Sequence, residues 1–147
     1  MLDITEQVVD LVPLRVRRRV RWGECDPAGV VYTARFSDYV ISAFELFMRH
    51  LVDEPGCDTP AKALSFEFLA SLRPGDEFEM TVQVADIRNR TFDLDILGRD
   101  LDGKGLFRAR LTPITINRGD RSRAIELPAM LRERLERYRT SCTKKVA

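Results

Sequence analysis

The chain has 147 residues, enough to bury one core and too few for two, and with 44% hydrophobic and 32% charged residues it reads as a folded domain. Lys and Arg number 24 against 23 Asp and Glu, so bulk charge gives no reason to expect a nucleic acid or an anionic membrane as partner. No apolar run approaches the roughly 20 residues that span a bilayer, and the acidic opening MLDITEQVVDLVP lacks the basic leader of a secretory signal.

Residues 14 to 22, LRVRRRVRW, alternate: Leu14, Val16, Val20 and Trp22 fall on one face and Arg15, Arg17, Arg19 and Arg21 on the other. Arg18 is the exception. The period predicts a half-buried strand whose basic face meets solvent or another subunit, with a polyanion patch as the alternative. GECDPAGVV comes next, a loop by its two glycines and proline. Phe36, Val40, Ala43, Phe44, Phe47, Met48 and Leu51 then recur at three- and four-residue steps and predict a long helix with one buried stripe, closed by Pro55 and Gly56. This aromatic-rich stripe reads first as core, with the lining of an apolar pocket as the alternative.

From Pro60 the pattern changes to antiparallel strands, over about 62–69, 78–88, 91–99 and 106–116. Arg73-Pro74-Gly75-Asp76, Asn89-Arg90 and Asp102-Gly103-Lys104-Gly105 separate them with turn chemistry. Pro128 opens a short last helix that docks through Met130, Leu131, Leu135 and Tyr138. The expectation is one α+β domain over 1–147, with a core of about 14–139 and flexible ends. One helix cannot cover both faces of such a sheet, so a second subunit is expected to cover the rest.

The usual catalytic sets are absent. His50 is the only histidine, at the far end of the helix, and no G-x-S-x-G elbow presents a serine. No H-E-x-x-H, C-x-x-C, EF-hand, G-x-G-x-x-G or Walker A pattern occurs, so no metal site or nucleotide cofactor is expected. Cys25, Cys57 and Cys142 fit neither a disulfide framework nor a zinc site, and a reducing cytoplasm is the compartment they suit. What remains is Asp26, on the loop before the helix. It reads in two ways. An Asp-Pro pair commonly shapes an Asx turn. Alternatively, the carboxylate faces the backbone N–H groups at the helix start, near Tyr32 to Ala34, and attacks a carbonyl or activates a water to do so. Cys25 is a rival nucleophile with no nearby histidine to make it a thiolate.

At this loop the sequence resembles a known family. Gly-Glu-Cys-Asp-Pro-Ala-Gly-Val-Val-Tyr, residues 23 to 32, is similar to the active-site loop of the 4-hydroxybenzoyl-CoA thioesterase branch of hotdog thioesterases. Residues 72–78, 87–92 and 121–128 resemble, in order, the family's turn before its long strands, its basic hairpin and its C-terminal strand end. The resemblance implies a hotdog fold, a long helix wrapped by a curved antiparallel sheet, assembled as a homodimer or homotetramer. It implies an acyl-CoA substrate, with no cofactor beyond the CoA that the substrate itself carries. Asp26 is then the nucleophile or general base and the Thr33 backbone N–H polarises the carbonyl. Tyr32 joins this site where the closest relatives carry a tryptophan. Arg88, Arg90 and Arg123 match positions that contact CoA phosphates across a subunit boundary, a role suited to guanidinium forks.

The departures from the family are specific. Ala34-Arg35 replaces a Pro-Asn type pair, Ser71 stands where many relatives have proline, and the segment between the helix and Pro60 is short and dissimilar. The acyl group, aromatic or aliphatic, therefore does not carry over with the fold. A carrier-protein thioester is an alternative substrate, and a non-catalytic acyl-binding hotdog module is the alternative outside enzymes. A hydratase would need a histidine better placed than His50.

Overall fold

The computed structural model describes residues 5–146. The alternation of LRVRRR becomes strand β2 (Leu14–Arg19), with Leu14 and Val16 fully buried. Its arginines on the other face are neutralised within the sheet: Arg15 and Arg17 share Glu79 at 3.1 and 3.0 Å, and Arg19 reaches Glu77 at 2.8 Å. The basic run is therefore a paired strand face. The expected strands follow as β3 (Ala61–Phe68), β4 (Glu77–Ile87), β5 (Phe92–Asp100) and β6 (Gly105–Pro113). Ile114 and Ile116 continue beyond β6 only as isolated bridges.

Two apolar residues differ from expectation: Trp22 lies past the end of β2 in a 3-10 turn, 77% exposed, and Met130 on the last helix is 49% exposed and does not dock. Two elements differ as well. Residues before Leu14 form a further strand, β1 (Glu6–Leu11), antiparallel to β2. Its register sets Glu6 opposite Arg18 and Asp10 opposite Arg15, so cross-strand charge pairs supply what a regular apolar alternation does not. The last helix, α2 (Ala129–Val146), likewise continues well past residue 139.

All pairings are antiparallel, in the order β1-β2-β4-β5-β6-β3. Helix α1 (Arg35–Phe47) buries Phe36, Tyr39, Val40, Ala43, Phe44 and Phe47. Its partners are the inward side chains of β2, β4, β5 and β6, among them Val16, Phe78, Met80, Ile96 and Leu111, each fully buried. Each such large side chain contributes about 1.5–3 kcal/mol of burial, so this interface is the main store of stability. The arrangement is an α+β hotdog, a helix held by a curved antiparallel sheet. Helix α1 runs into a π-turn, Met48–Val52, which ends at Asp53 with φ 71° and its N–H on the Met48 carbonyl at 2.7 Å. His50 lies exposed in that turn.

Helix α2 packs on β4 and on the π-turn. Tyr138 is its anchor: the ring meets Phe47 edge-on, at 5.0 Å between centroids. Its hydroxyl accepts the Leu14 N–H at 2.7 Å and donates to the Val82 carbonyl at 2.5 Å, joining two residues that face each other across β2 and β4. Tyr138→Phe leaves both backbone groups buried without a partner, and each such group costs about 1–3 kcal/mol. Urea denaturation should show a loss of that order, with the m-value unchanged.

Candidate active site

The loop after β2 doubles back on itself. Trp22–Glu24 makes one 3-10 turn, the Glu24 carbonyl accepts the Tyr32 N–H at 3.0 Å, and the Asp26 N–H donates to the Val30 carbonyl at 2.8 Å. Gly29, at φ 81°, closes the turn in a conformation that favours glycine. Asp26 forms the Asx turn: Oδ1 accepts the N–H groups of Ala28 at 2.9 Å and Val30 at 3.4 Å. Oδ2 has no hydrogen bond among the described residues. Asp26 is half-buried, while Tyr32 beside the loop is 55% exposed.

The chain leaves this loop directly into α1. Its first turn closes by Arg35 N–H to the Tyr32 carbonyl and Phe36 N–H to the Thr33 carbonyl, at 2.8 and 3.3 Å. The Tyr32 N–H is held by Glu24, but those of Thr33 and Ala34 donate to nothing among the described residues. They are the open donors at the positive end of the helix. The Cys25 thiol, whose Sγ lies 3.6 Å from the Arg21 carbonyl, is pushed up in pKa by burial and by the Glu24 and Asp26 charges. That disfavours a thiolate.

The three arginines gather at the opposite end of the sheet. Arg88 and Arg90 lie on the β4–β5 turn, and Arg123 on the segment beside Asn117, whose N–H its carbonyl accepts. Buried Thr115 ties the two segments together, its hydroxyl 2.6 Å from the Ile125 carbonyl and 3.1 Å from that of Arg90. Arg88 is engaged within the chain: its terminal nitrogens grip both oxygens of Asp93 at 2.8 Å and its Nε donates to Thr91 Oγ1 at 3.0 Å. The side chains of Arg90 and Arg123 are exposed and have no partner among the described residues.

Asp26 thus sits where β4 begins, through Val20 N–H on the Asp76 carbonyl and Val31 N–H on that of Leu72, and the arginines sit where β4 ends. Eleven residues of strand separate them, roughly 33 Å at the usual rise per residue. At the Asp26 end the core is aromatic. Phe36 on α1 meets Phe68 and Phe107 edge-on at 5.0 and 5.4 Å, and Phe66 stacks on Phe68 at 5.4 Å. Phe107 lies over Gly98, where an added Cβ would fall 2.2 Å from its ring. Phe68 and Leu69, at the end of edge strand β3, are 47% and 46% exposed.

Sequence reasoning missed Arg18 and Asp93. Arg18 faces inward and binds Glu6 at 2.8 Å and Glu24 at 2.9 Å. The signal was its break in the alternation. Asp93, only 4% exposed although on the outer face of the sheet, takes Arg88 and the Thr112 hydroxyl, the latter at 2.7 Å. Nothing in the local pattern distinguishes it from Asp95.

A model of the thioesterase-like superfamily matches residues 20–135. The chain belongs to that superfamily, and so to the thioester hydrolases. Among solved structures, it is similar to a 1,4-dihydroxy-2-naphthoyl-CoA thioesterase from Synechocystis, at 20% identity over 82% of this chain and 93% of that one, with a TM-score of 0.70. A thioesterase from Thermus thermophilus complexed with coenzyme A and zinc shares 23% identity over 88% and 96%, with a TM-score of 0.78. A Staphylococcus aureus protein in complex with CoA shares 14% over 96% and 89%, with a TM-score of 0.80. At these identities the likeness is one of fold. Among curated proteins none matches this sequence. In this superfamily member no three His, Cys, Asp or Glu groups among the described residues are placed to hold a metal ion, and no helix among them is long and apolar enough to cross a membrane.

Hydrogen bonds from Arg88, acting against burial and joined by Thr112, hold the Asp93 carboxyl below its usual pKa. A depressed folded pKa means that the pair stabilises the protein fully above the unfolded value of about 3.9 and that this contribution is lost as pH falls through the folded one. Asp93→Asn should therefore cost roughly 1–3 kcal/mol at pH 7, the scale of charged hydrogen bonds with one half-exposed partner. The gap to the parent should narrow below about pH 4 in denaturation curves taken across that window.

Proposed function

We propose that this superfamily member hydrolyses an acyl-CoA thioester to the free acid and CoA, and that it belongs to the 4-hydroxybenzoyl-CoA thioesterase branch whose loop it resembles. The observation that carries the reading is that one doubled-back loop carries both a carboxylate oxygen, Asp26 Oδ2, and two N–H donors at the start of α1 that have no hydrogen-bond partner among the described residues. The Thr33 N–H holds the developing oxyanion as the thioester carbonyl goes tetrahedral. Asp26 supplies the attack. As nucleophile it forms an acyl-Asp26 anhydride and expels CoA as the thiolate, which solvent water protonates, and a second water then opens the anhydride to the free acid and the Asp26 carboxylate. As general base it takes a proton from the water that attacks directly. Tyr32 flanks the entrance. The step uses no metal or redox cofactor, and the cytoplasm is the compartment that suits its three unpaired cysteines.

The arginines fit this reading through a second subunit. Strand β3 is one edge of the sheet, opposite β1, with Ala61, Lys62, Ala63, Ser65, Glu67 and Phe68 exposed. If two copies pair β3 against β3 in antiparallel fashion about a two-fold axis, the Phe68 end of one meets the Ala61 end of the other. Asp26 of one subunit then approaches Arg88, Arg90 and Arg123 of its partner. The same pairing covers Phe68 and Leu69. Dimerisation in this form, or a tetramer of two such dimers, is part of the proposal.

Asp26→Asn keeps the Asx turn but removes charge and nucleophilicity. Against a panel of aromatic and aliphatic acyl-CoAs it should fold and assemble like the parent while kcat falls on the order of 100-fold or more, the scale of one positioned acid/base group. Near-parental turnover would leave Asp26 as a turn residue only. The phosphate contacts are tested separately. Arg90→Ala and Arg123→Ala should raise KM more than they lower kcat on acyl-CoA, and should leave a pantetheine thioester without the nucleotide unaffected. Equal losses on both substrates would give these arginines a structural role instead.

A further inference from the structure

The one interruption of the alternation in β2 points into the molecule, and we propose that Arg18 is a positioning residue that keeps the Asp26 loop in register with the start of α1. The proposal rests on the thioesterase reading of that loop. Arg18 and Glu24 are 15% and 14% exposed at their side chains, so this is an ion pair largely withdrawn from water. Such pairs add little stability over an apolar residue of the same size unless their geometry is specific. The geometry here is specific. Glu24 Oε2 takes the Arg18 guanidinium at 2.9 Å and Oε1 takes the Arg21 N–H at 2.8 Å, while the Glu24 carbonyl holds the Tyr32 N–H at 3.0 Å. Asp26 is two residues beyond Glu24, and Thr33 is one beyond Tyr32. Glu24 therefore sets the carboxylate and the oxyanion donor relative to each other, and Arg18 sets Glu24.

The clamp reaches across four elements. The second Arg18 nitrogen binds Glu6 of β1 at 2.8 Å, Ser42 of α1 donates to the same Glu6 carboxylate at 2.7 Å, and the guanidinium lies 4.6 Å above the ring of Tyr39. Arg18 and Glu6 both fall outside residues 20–135, so the support is built from an N-terminal strand beyond the superfamily match. Burial works against the charge on Arg18, and the bonds to Glu24 and Glu6 outweigh it, so the guanidinium stays ionised. The Arg18 Nε is buried with no hydrogen-bond partner among the described residues.

The test compares Arg18→Met, Arg18→Lys, Glu24→Gln and the double variant Arg18→Met/Glu24→Gln with the parent. Arg15→Met serves as a control, since it breaks an ion pair on the outer face of the same strand. Arg18→Met should lower kcat by about 10- to 100-fold, as a displaced catalytic group does, with KM within about threefold. Arg18→Lys should recover part of the loss. The double variant should be no worse than the poorer single one, as expected for two ends of one link. Arg15→Met should keep parental kcat. Amide exchange at Asp26 and Tyr32 should quicken in Arg18→Met while that of β5 stays at the parental rate. Parental kcat in Arg18→Met, or exchange that quickens equally throughout the sheet, overturns the proposal. Should Arg18→Met fail to fold, Glu24→Gln keeps the shape of the clamp and carries the same comparison. A parent that hydrolyses no acyl-CoA refutes the thioesterase reading alone, and the exchange measurements then decide whether Arg18 holds the loop.

Discussion

Helix α1 carries six buried side chains, and the broad apolar surface that receives them is the inner face of the sheet, with Tyr138 of α2 against Phe47. Everything else follows from that contact. Because β2, β4, β5 and β6 must all present side chains to one helix, their outward positions are left to charges, and arginines and carboxylates on neighbouring strands pair with one another. Because α1 lies along the sheet, its N-terminus emerges at one end, beside the loop that leads into it. The open N–H donors are a geometric by-product of burying the stripe.

The same contact explains why the two groups of charged residues lie far apart. Strand β4 spans the length of the helix and its π-turn, so whatever precedes it and whatever follows it are a strand's length apart. Asp93 adds a charged tie at the far end, beside the fully buried Phe92. It sits on the charged face yet is buried, and it locks Arg88 of the turn onto β5. Arg90 and Arg123, held by their backbones around Thr115, keep their side chains open to solvent.

Much of this was legible in the sequence, for identifiable reasons. Period two in 14–22 and period three-to-four in 36–51 report burial on one face, and both elements formed, though the strand stops at Arg19 and leaves Trp22 in an exposed 3-10 turn. Strand β1 was not legible, because Glu6 and Asp10 pair with residues of β2 that only the fold identifies. Nor was the length of α2, whose far end is charged and reaches Asp10 of β1 through Lys145 at 3.0 Å. Asp26 forms the Asx turn through one oxygen, while its other oxygen has no hydrogen bond among the described residues, and the catalytic reading stays a proposal. Arg18 was visible as an irregularity, but its meaning needed Glu6, Glu24 and Tyr39 in three dimensions.

The aromatic cluster near Asp26 rests on one close approach. Phe107 lies against residue 98, which has no side chain, and any Cβ at that position would enter the ring. Packed interiors do not absorb an overlap of that size. The two positions are therefore not free to vary independently or in either order. A lineage that acquired a side chain at position 98 would have to shrink residue 107 first. The reverse path passes through a clash, so the history of this contact has a direction built into it.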